Sequence, residues 1–305
     1  MGTKHEIDGV LPIFKPKGMT SHDVVHRLRK ILKIKRIGHT GTLDPEVTGV
    51  LPICIGKATR IAEYIMDLPK SYQGRVTLGI ATTTEDATGE VIEETEVEFI
   101  PEEQIKDVLQ TFIGEIEQVP PMYSSIKIHG QRLYQLARQG KTVEREPRKV
   151  RIYNLEMIDY HPTKHPKIDF TVTCSKGTYI RTLCVDIGKK LGYPAHMSYL
   201  IRTKSGPFHL EQTYTLEEIE QIADTEKLKQ AIIPLSESLP HLPKVILPKE
   251  EIDKKVFNGQ KIVLQLSKTY EGLVRICDSK GNLAALYIKN KNEEIAKPKK
   301  VFKDN

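Results

Sequence analysis

Apolar residues recur along this chain at two spacings, each marking one type of element. GVLPIFK (Gly9–Lys15) forms a short apolar strand that runs into KPKGMTS, a turn at Gly18. Over Ser21–Leu32 the stripe Val24, Val25, Leu28, Ile31 and Leu32 predicts a helix that Ser21 can cap. Val50–Ile55 is an unbroken apolar run apart from Pro52, as expected of a buried strand. Thr59 can cap a helix through Asp67. Ser71–Ile80 alternates, with Tyr72, Val76, Leu78 and Ile80 on one buried face. Pro101–Phe112 reads as a helix with proline in its first turn. Val150–Tyr160 and Lys167–Ser175 read as strands, the second alternating Ile168, Phe170, Val172 and Cys174 with polar residues. Tyr179–Leu191 is an amphipathic helix that Gly192 stops, and Thr215–Gln230 another. Pro234, Pro240, Pro243 and Pro248 mark a linker. Beyond it KIVLQL, LVRIC and LAALYIK predict a small β-barrel or sandwich, followed by a Lys-rich tail.

This order of helices and strands, without internal repeats, predicts an α+β chain with one large domain over 1–240 and a small β-rich one over 244–305. Composition is that of a soluble protein, 39% hydrophobic and 28% charged. No apolar run is long enough to span a bilayer, and the first ten residues lack the apolar core of a secretion signal. Ile7 stands where a myristoylation signal needs Ser or Thr. The four scattered cysteines, in apolar surroundings, are expected to be buried thiols of a cytoplasmic protein.

Charge changes the picture through its placement. The excess of +6 is matched by Lys127–Arg151 alone, where eight bases face Glu144 and Glu146. Lys15–Arg36 adds eight bases against Asp23, while Glu85–Glu117 carries twelve acids against Lys106. Segregation of this kind points to a polyanionic partner on one face. Tyr134 between Arg132 and Arg138 suits base stacking and phosphate contact.

The stretch richest in chemistry is RIGHTGTLDPEVTGVLPICI (Arg36–Ile55). Glycines relax its backbone, threonines supply hydrogen bonds, and Pro45 biases Asp44 towards an extended conformation, so one carboxylate is displayed on a shaped loop. An ordinary turn would use the same residues. Tyr179 and Arg181 sit where a strand passes into a helix, an edge that often lines sites, although a surface ion pair would also explain Arg181. His22 and His26 have metal-binding spacing but no carboxylate or cysteine nearby, and ATTTEDATGE lacks the ligand alternation of a calcium loop. No Ser–His–Asp set, phosphate loop or dinucleotide fingerprint is present. An enzyme of this composition works with a lone carboxylate, at a sugar's anomeric carbon or an electron-poor ring. Glycoside hydrolysis would call for paired carboxylates, and only Glu46 is close in sequence.

Six motifs, KPKGMTS, GHTGTLDPEVTGVLP, KSYQGRVTLG, PPMYSSIKIHGQRLYQLARQG, KGTYIRTL and YLIRTKSGPF, occur in order over the first 210 residues. In them the chain closely resembles the bacterial tRNA pseudouridine-55 synthases of the TruB type. The resemblance implies a pseudouridine-synthase fold with a mixed, mainly antiparallel sheet, an RNA-clasping insertion over about 120–152, and a PUA-like RNA-binding module at the C-terminus. It implies Asp44 as catalytic carboxylate with Tyr72 and Arg181 beside it. Tyr179 and Leu200 would line the pocket, His39 would contact the flipped-out RNA, and Lys15 and Pro16 would support the catalytic loop. Lys15, Arg138 and Arg148 also stand as substrate contacts. A guanidinium at Arg181 would direct Asp44 and lower its pKa. The family needs no cofactor and no obligatory protein partner, acts on the T-stem-loop of tRNA and is monomeric. A guide-dependent or non-catalytic RNA-binding protein is the alternative, and its relatives lack the long insertion. A tRNA-folding role could accompany catalysis.

Overall fold

In the computed structural model, which describes residues 7–124, 126–128 and 130–303, the apolar runs become strands of one large sheet. The first six residues, the last two, and Ser125 and His129 of the Pro120–Gly140 motif lie outside the described residues. In chain order the first elements are β1 (Gly9–Lys15), α1 (Ser21–Leu32), β2 (Ile37–His39), β3 (Thr48–Ile55), α2 (Ala62–Met66), β4 (Lys70–Leu78), β5 (Ile80–Thr82), β6 (Val91–Glu94), α3 (Glu102–Gln110) and β7 (Gly114–Gln118). β8 (Lys127–Ile128), β9 (Gln131–Arg132), α4 (Leu133–Arg138), β10 (Arg148–His161), β11 (Lys167–Cys174), α5 (Ile180–Leu191), β12 (Ala195–Ser205), β13 (Phe208–His209), α6 (Leu216–Ile222) and α7 (Lys227–Ala231) follow. The C-terminal strands are β14 (Lys244–Ile246), β15 (Ile262–Val263), β16 (Gly272–Cys277), β17 (Leu283–Lys289) and β18 (Ile295–Val301).

The main sheet runs β1-β3-β12-β4-β11-β10-β7, with β2 on β3 and β13 on β12. Its pairs are antiparallel except for a short parallel contact of β3 with β12, where Thr48 meets Ile201 and Gly49 meets Arg202. This is the mixed, mainly antiparallel α+β architecture. α3 and α5 cover β4, β10, β11 and β12 through a core that includes Ile105, Leu109, Leu183 and Ile187. Leu51, Ile53 and Ile55 of β3 join α1, α6 and α7, while Val50 and Cys54 face a second core. Two apolar environments on opposite faces explain why β3 reads as a continuous hydrophobic run.

The second core is shared with the five-stranded C-terminal sheet, β14-β16-β17-β18-β15, which contributes Cys277, Leu283 and Leu286. Arg60 reinforces the join, donating to the Val301 carbonyl at 2.6 Å and lying over the Phe302 ring. All four cysteines are buried and free. No helix among the described residues is long and apolar enough to cross a membrane.

Several local expectations differ from the structure. Thr20, not Ser21, caps α1, accepting from the Asp23 amide in a reciprocal capping box. Thr59 caps nothing; its hydroxyl is held between Gly56 O and Arg36 Nε, and Gly56–Arg60 forms a 3₁₀ turn before α2. The strand from Ser71 stops at Leu78 because Gly79 turns at φ 84°, sending Ile80–Thr82 to pair with β6. Pro101 precedes its helix as the N-cap. The helix over Thr215–Gln230 is two, capped by Thr215 and broken after Ile222. Much of the Lys-rich tail is an ordered strand, β18, with Lys297, Pro298, Lys300 and Val301 paired into β17.

Gly49 permits the β3–β12 contact. Its φ is 106°, and an added Cβ would stand 2.2 Å from the Arg202 carbonyl oxygen. Gly49→Ala should therefore cost ~3 kcal/mol, combining a backbone clash with left-handed strain. A thermal midpoint within a degree of the parent protein's would contradict this.

Candidate active site

The loop between β2 and β3 is held from behind by a buried ammonium. Lys15 at the end of β1 is fully buried, and its Nζ donates to the carbonyls of Pro16, Met19 and Pro45 at 2.8, 2.6 and 3.0 Å. Burial pushes this lysine down to about 8, against the pull of Asp44 and Glu46. Lys15 is thus no RNA contact: the side chain sits behind the loop and grips the peptide after Asp44. Ser21, released from capping, accepts from the Leu43 amide at 2.9 Å and fixes the residue before Asp44. The Gly18 amide donates to Pro45 O, and Val47 N to Asp44 O, closing the turn. The two motifs KPKGMTS and GHTGTLDP are therefore one unit in space.

Asp44 projects from this loop with 46% of its side chain open, while Arg181 opposite is almost wholly enclosed. Nε of Arg181 lies 3.0 Å from Asp44 Oδ2. Its Nη1 donates to Thr84 O at 3.1 Å and stands 3.9 Å from Asp86 Oδ2, and Nη2 donates to Tyr123 O at 2.8 Å. Each branch of the guanidinium is thus assigned, which a lysine could not reproduce. Burial raises the Asp44 carboxyl above the ordinary carboxylate range, and the Asp86 charge adds to this, while Arg181 and Lys15 pull it down. Arg181 pulls the Asp44 carboxyl down, as expected of a guanidinium beside it, and burial pushes the other way and outweighs that pull.

Asp86 and the turn around it are what sequence reasoning missed. Read as a loop superficially like a calcium site, ATTTEDATGE instead frames Arg181. Asp86 Oδ1 accepts from Thr84 Oγ1, Thr88 N and Thr88 Oγ1, and the turn is tied to Met197 of β12 through Glu85 and Ala87. Glu85, at φ 62°, accepts from the Thr182 hydroxyl one residue after Arg181. The signal available was a run of threonines around one aspartate, the composition of a side-chain-locked turn.

Tyr72 lies on β4 between Val172 of β11 and Arg202 of β12, half-buried and packed on the main core, to which Leu200 belongs. Tyr179 precedes α5, its amide donating to Gln118 Oε1 and its carbonyl accepting from Gln118 Nε2, at 3.0 and 3.1 Å. Burial raises the Tyr179 hydroxyl, with Arg148, Arg181 and Asp44 all close enough to act on it. Arg148 stands opposite Gln118 on β10 and is exposed, which puts it at the rim of the cleft. Arg138, exposed at the end of α4, lies over the Tyr134 ring. His39 ends β2 with Nδ1 accepting from the Gly41 amide, and burial lowers its pKa. Among the described residues, Asp159, His161 and Asp169 come within metal-binding reach of one another, but Asp169 already takes both arms of Arg75. His22 and His26 are exposed on α1.

Comparison with known proteins bears on this cleft directly. The model of the TruB family pseudouridylate synthase N-terminal domain matches residues 29–180, and that of the tRNA pseudouridylate synthase B C-terminal domain matches 181–252. A Staphylococcus haemolyticus protein named tRNA pseudouridine synthase B is 50% identical over 97% of this chain and 99% of its own. This chain belongs to the TruB family. It is a tRNA pseudouridine synthase, an RNA-binding isomerase that modifies tRNA. The TruB-named protein of Geobacillus thermodenitrificans is 48% identical over 97% of this chain and 100% of its own. Among solved structures, a Cbf5-Nop10-Gar1 complex gives a TM-score of 0.76 at 30% identity, covering 97% of this chain and 85% of that one. An H/ACA RNP bound to a substrate RNA containing 2'-deoxyuridine gives 0.75 at 29%, covering 98% and 86%. The TruB motifs GHTGTLDP and GTYIRTL are those that bring Asp44 and Arg181 together here.

Two substitutions should move Asp44 in opposite directions. Removing the Asp86 charge with Asp86→Asn lowers the Asp44 pKa, and removing the cation with Arg181→Met raises it. Carboxyl carbon NMR titration of the folded variants checks both signs; shifts in one common direction would exclude this electrostatic account.

Proposed function

We propose that this chain converts uridine 55 in the T-loop of tRNA to pseudouridine, with Asp44 as the catalytic carboxylate. The observation that carries the proposal is the open Asp44 carboxylate held 3.0 Å from a buried Arg181. The N1–C1′ bond breaks, the base rotates, and a C5–C1′ bond replaces it; C5 loses a proton and N1 gains one, so the product is an isomer. Asp44 attacks or deprotonates in its ionised form, which Arg181 favours against burial. Tyr72 stacks on the base and helps remove the C5 proton. Tyr179 and Leu200 wall the pocket and keep water from the half-cleaved glycoside. The chemistry drawn in this way uses no cofactor.

A uridine within a tRNA loop is stacked, and extruding it costs a few kcal/mol, roughly the unpairing of one base. His39 meets the flipped-out region, and the exposed bases Arg138 and Arg148 grip phosphate from the Pro120–Arg151 insertion. The C-terminal β-rich unit, PUA-like, extends the RNA surface. The protein works alone as a cytoplasmic monomer. Its likeness to complexes such as Cbf5-Nop10-Gar1 supports a second reading, guide-dependent action, but those structures are about 30% identical, against about 50% for the TruB-named relatives.

Tritium release from tRNA carrying 5-tritiated uridine tests both. Wild-type protein alone should release tritium, and Asp44→Asn should bind the tRNA while losing at least ~1000-fold in rate. Release by both proteins would remove Asp44 from the mechanism. Release by neither, with tRNA still bound, would favour the guide-dependent reading. Neutralising Arg138 and Arg148 together should weaken tRNA binding and flatten its salt dependence by about two counterions. A large single-turnover defect at saturating tRNA would instead place those arginines in the chemistry.

A further inference from the structure

Behind Tyr72 lies a buried cation with part of its fork unpartnered. Arg202 on β12 is 1% exposed, and its Cα stands opposite that of Tyr72 across the β12–β4 ladder. Nε donates to Val50 O at 2.7 Å, on the strand that leaves the Asp44 loop. Nη2 is buried and has no hydrogen-bond partner among the described residues. No ion pair neutralises Arg202 among these residues, and the charges nearest it include two further cations, Lys15 and Lys70. Lys15 and Lys70 spend their ammonium groups on backbone carbonyls, whereas Arg202 has a donor left over.

A guanidinium stays charged and only donates, and burying one without a partner is strongly unfavourable. The Tyr72 phenol, on the residue paired with Arg202 across the ladder, is a polar group within its electrostatic reach. We propose that Arg202 is a positioning residue for the reaction, whose guanidinium donates to the Tyr72 hydroxyl oxygen and holds that phenol against the flipped uridine. The contact closes when a base stacks on Tyr72, and it fixes which way the phenol's own proton points. This rests on the reading of Tyr72 given above.

The electrostatics run the same way. Burial pushes the Tyr72 phenol up, and Cys174 from β11 and Asp44 from its loop push it further, whereas Arg202 opposes all three. Arg202 thereby eases loss of the Tyr72 proton and favours the phenolate, the form of Tyr72 that can take up the proton leaving C5. Its Nε bond to Val50 keeps the guanidinium in register with the strand that carries Asp44.

A double-mutant cycle on single-turnover pseudouridine formation at saturating tRNA tests this. Arg202→Met should slow the step about tenfold or more when Tyr72 is present, and less than about twofold in a Tyr72→Phe background. Arg202→Lys, which keeps the charge, should fall between, again only with Tyr72 present. Should Arg202→Met not fold, as shown by circular dichroism, the lysine variant run through the same cycle decides. An equal loss in both backgrounds would mean that Arg202 acts through the fold alone, and the inference falls while the role of Tyr72 stands. A Tyr72→Phe protein with the wild-type rate would remove the role of Tyr72 and the inference with it.

Discussion

The contact between Arg181 and Asp44 is the constraint that the rest of the cleft serves. A carboxylate placed partly out of water costs less when ionised only if a cation is fixed beside it, and a flexible cation would lose that gain to entropy. Arg181 is fixed by the start of α5, by the carbonyls of Thr84 and Tyr123, and by the nearby Asp86. Three segments far apart in sequence therefore meet on one guanidinium. Because Tyr123 leads into the basic stretch Lys127–Arg151, that segment and the carboxylate share a partner.

A second theme is the use of backbone carbonyls to hold buried cations. Lys15 spends its three donors on carbonyls around the Asp44 loop, and Lys70 binds those of Met66 and Leu68. Carbonyls satisfy the hydrogen bonds of an ammonium without cancelling its charge. The positive charge of Lys15 behind the loop thus remains available to favour an ionised Asp44, and burial lowers both lysines to about 8. At Lys15, structural support and electrostatic bias come from the same side chain.

Local sequence carried much of the architecture, because its signals act over a few residues. The apolar stripe of α1, the alternation of β11 and the Gly192 stop of α5 are all where the pattern puts them. Failures came where a tertiary partner competed. Ser21 is a good cap by type, but the neighbouring Thr20 does the capping and Ser21 binds Leu43 instead. Thr59 likewise binds Arg36 rather than a helix end. The lysines of β18 look like a tail because the strand is held by its ladders to β17 and β15, and few of its side chains need to be apolar.

The sequence by itself determined that Asp44 is displayed on a glycine-rich loop before a buried strand, and that Arg181 and Tyr179 open a helix. Its ordered motifs also determined the family. Only the tertiary structure decided that Lys15 points inwards, that Asp86 flanks Arg181, and that Arg202 stands behind Tyr72. Each of those facts is a pairing between segments separated by tens of residues or more, and spacing along a chain does not encode which distant groups share a desolvated volume. Residue types supply the charges, but the balance between burial and a neighbouring cation depends on where the folded chain excludes water.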